Sequence, residues 1–450
     1  MEPVKISEIV KWCDGRIDGN FKDILCYGIS TDTRNIKKGD LFVALKGERF
    51  DGHDFVKDAF RKGAIAVIVR KDFSFEKGTL IKVNDTLKAL GEIAKGYRKK
   101  FNPYVIGITG SDGKTTTKEI LKKTLGIKFK VVANKGNYNN EIGLPLSIFQ
   151  MERNSEFCVF EMGMNRKGEI FYLSEIAQPS SAVITNIGKA HIGFFKSMRE
   201  IAEAKSEIFE NLKGERFSLL NYDDRFFKFL RSKTEGPVES FGIKKGADVR
   251  GVIIEEGDFY FKFRVEGIEP EFKMNFWNTS LIYPGLVSIG FARKFNINME
   301  KVREIIEEVT PLEGRGKVYK LKDFVVIDET YNSNPNSLKN SLIQFNKKSF
   351  KRKVAIIGDM AELGKFSKFF HRNIGELIKK LDISLVITFG RESRIISEVV
   401  GRRAKHFNFP EEVNSYLERN LKKGDGILVK GSRVMKMERI VKFIVENLGG

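Results

Sequence analysis

Short apolar runs alternate with charged, helix-patterned stretches along the chain, and the alternation falls into three blocks. In the first block, residues 41–45 and 65–69 read as strands and residues 57–62 and 87–99 as helices. Lys99-Lys100-Phe101-Asn102-Pro103 is basic, contains proline and breaks the pattern. The second block opens on Tyr104-Val105-Ile106-Gly107-Ile108-Thr109, a strand bounded by glycine, with a Gly-rich turn and a helix over 116–125 after it. Residues 157–161, 182–185 and 217–220 are further buried-strand candidates separated by helical patterns, which predicts a parallel sheet. From 248 to 276 the pattern is strand-like but charged, as expected of an antiparallel edge or subdomain, and helices follow at 286–294 and 299–309. A second break, Thr310-Pro311-Leu312-Glu313-Gly314-Arg315-Gly316, precedes the third block. There, strands at 324–328, 354–357, 385–389 and 427–429 alternate with helices, and a last helix is predicted over 434–447.

The expected architecture is α/β in three domains. A small N-terminal α/β domain spans 1–101, a central P-loop parallel sheet with helices spans 102–312, and a C-terminal doubly wound, Rossmann-like domain spans 313–450. A chain of 450 residues agrees with three domains of roughly 150 residues each. Hydrophobic residues make up 41%, enough for full cores, and no apolar run reaches the ~20 residues that span a bilayer. Residues 1–20 carry charges throughout and lack an apolar leader core, so neither export nor membrane insertion is expected. Three scattered cysteines, Cys13, Cys26 and Cys158, make neither a disulfide framework nor a zinc cluster, which fits a reducing cytoplasm. The net charge of +20 admits three readings: nucleic-acid binding, a generally charged Lys/Glu surface, or attraction of anionic small molecules. Lys and Arg are spread over the whole chain and no nucleic-acid signature occurs, which argues against the first.

Thr109-Gly110-Ser111-Asp112-Gly113-Lys114-Thr115-Thr116 carries the strongest chemistry. In such a loop, backbone N–H groups cradle phosphates at a helix N-terminus, the lysine reaches the β/γ-phosphates and the Thr115 hydroxyl suits Mg²⁺. Ile108 stands where the strict pattern has its first glycine, so the surviving core is G-x-x-G-K-T in strand–loop–helix context. Glu161 ends an apolar strand, where a carboxylate is either a solvent-facing end residue or a holder of Mg²⁺ beside the nucleotide. His191 also follows a strand and is either a packing residue or part of the site. Lys205, in an alanine-rich helical stretch, reads from its neighbours alone as a helix-face ion pair with Glu203 or a nearby residue. Asp328 ends a strand of the third block, where an acidic residue can hold a ribose hydroxyl. Tyr331-Asn332-Ser333-Asn334-Pro335 after it is either an ordinary turn or a polar recognition loop.

Taken together these motifs resemble one family over essentially the whole chain. Ser30-Thr31-Asp32-Thr33-Arg34, Gly39-Asp40-Leu41-Phe42-Val43-Ala44 and Asp51-Gly52-His53-Asp54-Phe55 resemble the N-terminal domain of the Mur ligases, the ATP-dependent amide ligases that build the peptidoglycan stem peptide. The phosphate loop, the Asn-rich stretch 134–143, Glu161-Met162-Gly163 and Thr185-Asn186-Ile187-Gly188 extend the match. Tyr331-Asn332-Ser333-Asn334-Pro335, Gly358-Asp359-Met360-Ala361-Glu362-Leu363-Gly364 and Lys430-Gly431-Ser432-Arg433 resemble the member that acts last and adds a dipeptide. The Asp-Asn-Pro-Arg signature expected of tripeptide-forming relatives does not occur.

The resemblance implies an ATP-dependent ligase that joins D-alanyl-D-alanine to UDP-MurNAc-tripeptide through an acyl phosphate, in cytoplasmic cell-wall synthesis and as a monomer. It also implies that Lys114 binds the γ-phosphate, that Thr115 and Glu161 hold a first Mg²⁺, and that His191 and Lys205 join a second. Lys205 matches the family lysine that CO₂ converts to a carbamate, which reverses the ion-pair reading. Asn278, Arg315 and Asp328 would line the adenosine side, and Ser30, Thr31, Asp32 and Arg34 would sit near the uridine diphosphate. Asn332, Asn334 and Arg433 would serve the dipeptide or the acyl end. The family's His-Asn pair and second asparagine are reduced here to Asn278 within Phe276-Trp277-Asn278-Thr279-Ser280, leaving Trp277 as a stacking candidate. The alternatives are a sister ligase that adds a single amino acid, including a glutamate to folate, and a P-loop ATPase that binds nucleic acid.

Overall fold

The computed structural model describes residues 1–19 and 22–449; Asn20, the last residue of the stretch read for a leader, lies outside them with Phe21 and Gly450. The central sheet has nine strands. Its order from one edge is Ile268–Met274, Phe261–Val265, Val249–Glu256, Val238–Gly242, Phe217–Asn221, Ser181–Ile184, Tyr104–Thr109, Phe157–Glu161 and Val131–Ala133. Pairings from 131 to 242 are parallel, which requires helical crossovers and buries both faces. That is why Val105, Ile106, Ile108, Val159, Phe160 and Val183 form uninterrupted apolar runs and are fully buried. The charged 248–276 segment continues this sheet as an antiparallel meander, with one face on the core through Phe261, Phe263 and Phe272 and its charges facing water.

The third block is a six-stranded sheet in the order Lys317–Lys320, Phe324–Glu329, Asp425–Lys430, Arg352–Gly358, Leu385–Phe389, Ala404–Phe407, parallel except at its first strand. The expected final helix over 434–447 is shorter. Lys436 takes a left-handed φ of +49°, which ends the turn Arg433–Met435, and regular helix runs only over Glu438–Phe443 before a wider-turn segment, Ile444–Leu448. The first block holds a five-stranded sheet, Arg16–Asp18, Leu80–Val83, Ala66–Arg70, Asp40–Val43 and Gly28–Ser30, of which only two strands stand out as apolar runs. Among the described residues no helix is long and apolar enough to cross a membrane.

The helix Thr86–Arg98 rivets the first block to the second. Its Asp85 cap accepts from Leu87 and Lys88 N–H, and its apolar stripe faces inward. The buried Tyr97 hydroxyl donates to the Met151 carbonyl at 2.7 Å and accepts from Glu2 N–H at 2.8 Å. Arg98 Nε donates to the Ala177 carbonyl at 3.1 Å, and Lys95 pairs with Glu175 at 2.6 Å. A Cβ on Gly91 would stand 2.0 Å from the Tyr172 hydroxyl, so only glycine lets the two helices meet there. Replacing Tyr97 by Phe leaves a buried carbonyl and an N–H without this partner, a cost of about 1–3 kcal/mol. The expected result is a lower calorimetric unfolding midpoint with ATP affinity unchanged, because the partners of the Tyr97 hydroxyl, Glu2 and Met151, are not part of the phosphate loop.

Candidate active site

The phosphate loop leaves the strand Tyr104–Thr109 and enters the helix Lys114–Gly126. Gly110 has φ +145°, and a Cβ there would come within 1.8 Å of the Thr185 hydroxyl; Gly113, at φ +81°, forms the helix cap. Residues 185–188 brace the loop from behind. Thr185 Oγ1 donates to the Asp112 carbonyl at 2.7 Å, Ser111 N–H donates to the Asn186 carbonyl at 3.0 Å, Asp112 N–H to Asn186 Oδ1 at 3.0 Å, and Gly188 N–H to Ser111 Oγ at 2.7 Å. Half-buried Lys114 curls back over the loop, with Nζ 2.8 Å from the Gly110 carbonyl, and burial pushes its ammonium pKa down.

Glu161 is buried at the end of its strand with both oxygens held: Thr115 Oγ1 donates at 2.8 Å and Asn139 Nδ2 at 2.7 Å. Asn134 fixes the backbone on either side of that carboxylate, accepting from Glu161 N–H at 3.0 Å and donating to the Glu161 carbonyl at 2.8 Å. Lys205 is also buried, and no hydrogen bond or ion pair engages it among the described residues. The ion pair read from its helix does not form; Arg199 takes Glu203 instead, because i to i+4 spacing puts those two on one face. Burial, and then the nearby positive Lys114, push the Lys205 pKa well down, so the neutral amine is favoured. His191 stands at the cavity wall with Nδ1 2.6 Å from Glu362 Oε2, and this contact holds the Glu362 carboxyl below the usual range.

These groups line one cavity of about 690 Å³ between the second and third blocks. From the sequence-derived set it gathers Ser111, Asp112, Gly113, Lys114, Thr115, Thr116, Glu161, His191, Lys205, Asn278, Arg315, Asn332 and Asn334. Thr109 and Gly110 lie behind the loop. Asn334 caps the helix Pro335–Asn346 and reaches Asp112 Oδ1 at 2.7 Å, so the 331–335 segment faces the phosphate loop and is more than a turn. Arg315 stacks on the Tyr331 ring at 3.6 Å.

Other expected residues lie elsewhere. Asp328 is buried and does not line the cavity; its oxygens accept from Gly314 N–H and from Thr330 N–H and Oγ1, which staples the second interdomain break to the sheet. Arg433 pairs with Glu438 at 3.1 Å on the outside. Trp277 is fully buried beneath Gly316 and is unavailable for stacking on a base. Ser30, Thr31, Asp32 and Arg34 form a separate surface group in the first block, where Arg34 clasps Asp32 at 2.6–3.0 Å and holds its carboxyl below the usual range.

The cavity also holds residues that sequence reasoning passed over: Asp223 and Asp224 after the strand Phe217–Asn221, Tyr283 donating to Asp223 at 3.0 Å, and Glu329 with Lys430, 2.9 Å apart. All but Tyr283 sit at or just past strand C-termini, the one signal that could have marked them. Among the described residues no three His, Cys, Asp or Glu side chains converge as a metal cluster. Mg²⁺ needs no such cluster: it keeps several waters and takes one or two protein oxygens plus phosphate oxygens, which the Thr115–Glu161 pair beside the loop can satisfy.

A phosphate loop, a buried carboxylate on its threonine, an unpaired buried lysine and a second α/β sheet closing the cavity define a nucleotide-dependent multidomain enzyme. Three family profiles match: "Mur ligase family, catalytic domain" over residues 26–98, "Mur ligase middle domain" over 108–291, and "Mur ligase, glutamate ligase domain" over 314–433. The UDP-N-acetylmuramoyl-tripeptide--D-alanyl-D-alanine ligase of Bacillus subtilis is 34% identical over 98% of both chains. A crystal structure of MurF from Acinetobacter baumannii superposes with TM-score 0.92 at 28% identity, covering 99% of this chain and 100% of that one. MurF from Thermotoga maritima in complex with ADP does so with TM-score 0.85 at 31% identity, covering 95% and 99%. The chain belongs to the Mur ligase family.

The buried amine sets a pH signature. The unfolded chain binds a proton at Lys205 below about pH 10.5 while the folded one resists it, so this group's contribution to stability rises with pH between its lowered folded-state pKa and about 10.5. In CO₂-free buffer, Lys205→Met is expected to unfold at a higher temperature than the parent at pH 7, with the gap narrowing towards pH 10. A gap that does not change with pH would show that the amine is protonated in the fold.

Proposed function

We propose that the chain joins D-alanyl-D-alanine to UDP-MurNAc-tripeptide with cleavage of ATP to ADP and phosphate, in the cytoplasm, where these precursors are made. The observation that carries this reading is the end-to-end match, at 34% identity, to a ligase of that name, with both the phosphate loop and the third block present. The same residues explain the chemistry. The loop N–H groups and Lys114 hold the ATP phosphates, and the tripeptide carboxylate attacks the γ-phosphorus, forming a C–O–P linkage as the bond to ADP breaks. The dipeptide amine then attacks the acyl carbon, and the tetrahedral intermediate expels phosphate to leave the amide. Lys114 and the loop N–H groups face the charge that builds on phosphoryl oxygens, so positioning and electrostatics carry the catalysis.

Mg²⁺ at Thr115 and Glu161, with a second ion at His191 and a carbamate on Lys205, would supply further positive charge on those oxygens. An unpaired, buried amine whose pKa is pushed down suits carbamate formation, since only the free base attacks CO₂. Asn278, Arg315, Tyr283 and Asp224 would take the adenosine end, Asn332 and Asn334 the acyl and dipeptide end, and Ser30, Thr31, Asp32 and Arg34 the uridine diphosphate.

Phosphate release measured with ATP and UDP-MurNAc-tripeptide tests the reading. Release is expected with D-alanyl-D-alanine and not with single amino acids. Release with an amino acid alone would make the chain a sister ligase, and stimulation by nucleic acid would make it an ATPase of another kind. Lys205→Ala is expected to lose roughly a hundredfold or more in kcat, and acetate or bicarbonate to restore part of it. A variant with full activity would remove Lys205 from the mechanism.

A further inference from the structure

We propose that Glu362 is a positioning residue: its carboxylate fixes the His191 ring in the cavity only while the third block sits against the second. Domain approach and completion of the site are then a single event. His191 and Glu362 belong to different blocks, on loops that follow the strands Ser181–Ile184 and Arg352–Gly358. Nδ1 and Oε2 stand 2.6 Å apart, Glu362 itself does not line the cavity, and Nε2 of the ring has no protein partner among the described residues. The approach lies off the N–H axis, so Nδ1 makes no hydrogen bond as it stands, and a small rotation of the ring would align the pair.

The surroundings are built for this contact. Gly193 N–H donates to the Glu362 carbonyl at 2.9 Å, and a Cβ on Gly193 would come within 2.6 Å of that carbonyl and of Gly364 N, so the loops touch backbone to backbone. Both His191 and Glu362 take φ +61°, an unfavourable state for residues with side chains, at the two ends of one contact. Lys189 lies over the Phe370 ring at 4.8 Å and closes the same seam. A carboxylate on one imidazole nitrogen sets the tautomer and the aim of the other.

The inference rests on the ligase reading for its kinetic arm and is independent of it in the spectroscopic arm. Glu362→Gln keeps the shape without the charge. Glu362→Gly removes the carboxylate while tolerating the positive φ, so backbone strain cannot explain its effect. Both full-length variants are expected to lose roughly 10- to 100-fold in kcat, with KM for ATP within about twofold and the unfolding midpoint unchanged. On a His191→Asn background, Glu362→Gln is expected to add no further loss, because the two act as one unit. The chain has four histidines, so ¹⁵N NMR can follow the His191 imidazole. The Nδ1 resonance of the parent is expected to move in Glu362→Gln. Unchanged kcat and an unmoved resonance, or fully additive losses in the double variant, would overturn the proposal. A parent chain that shows the resonance shift but no dipeptide-dependent phosphate release would instead overturn the ligase reading.

Discussion

The hydrogen bond from Thr115 to the buried Glu161 carboxylate is the join on which the site depends. It ties the first turn of the phosphate-loop helix to the end of a neighbouring strand, so two elements remote in sequence keep a fixed distance at the phosphate position. A buried carboxylate is costly unless its oxygens are held. Here Thr115 and Asn139 hold them, and Asn134 locks the backbone around them. Asn134 is itself pinned by Lys118, a fully buried lysine whose ammonium donates to the Asn134 carbonyl at 2.6 Å and the Gly136 carbonyl at 2.9 Å. The Asn-rich motif that marks the family in sequence is therefore the scaffold of the carboxylate as well as part of the cavity wall.

The three blocks are joined in two different ways, and the difference suits an enzyme that must admit three substrates. The first block is riveted to the second by buried hydrogen bonds at Tyr97 and Arg98, as a fixed platform requires. The third meets the second through polar and loop contacts: Asn334 on Asp112, Glu362 on His191, and Lys348 donating to the Gly257 carbonyl at 2.9 Å. Beside these contacts, Ile192, Leu363 and Phe370 belong to one buried apolar cluster that spans both blocks, so the seam is apolar as well as polar. The cavity lies along that second seam.

The net charge of +20 receives only part of its explanation from the site. Lys114, Arg315 and Lys430 converge on a cavity suited to polyanions, but most of the excess lies in other Lys and Arg side chains spread along the chain; surface pairs such as Arg199 with Glu203 and Lys317 with Glu313 are neutral and add nothing to it. Pairs of that kind contribute little individually.

By itself, the sequence determined the central and C-terminal sheets, the phosphate loop and the family. Parallel strands buried on both faces must be continuous apolar runs, and a phosphate loop needs its glycines and lysine consecutively, so each signal is local. The short edge strands Gly28–Ser30, Val131–Ala133 and Ala404–Phe407 left no such mark, because an edge strand need not be apolar. Tertiary structure alone decided what the isolated polar residues do. Lys205 looked like half of an ion pair because sequence shows its helix neighbours and hides the packing that buries it. Asp328 ends a strand where a ligand residue could stand, yet the chain returns through Gly314 and Thr330 to occupy its oxygens. Glu362 gains its partner from a residue 171 positions away (362 minus 191), across a seam that no local pattern encodes. Burial and partnership are properties of the packed chain, and for a lone charged side chain they outweigh everything its own segment can show.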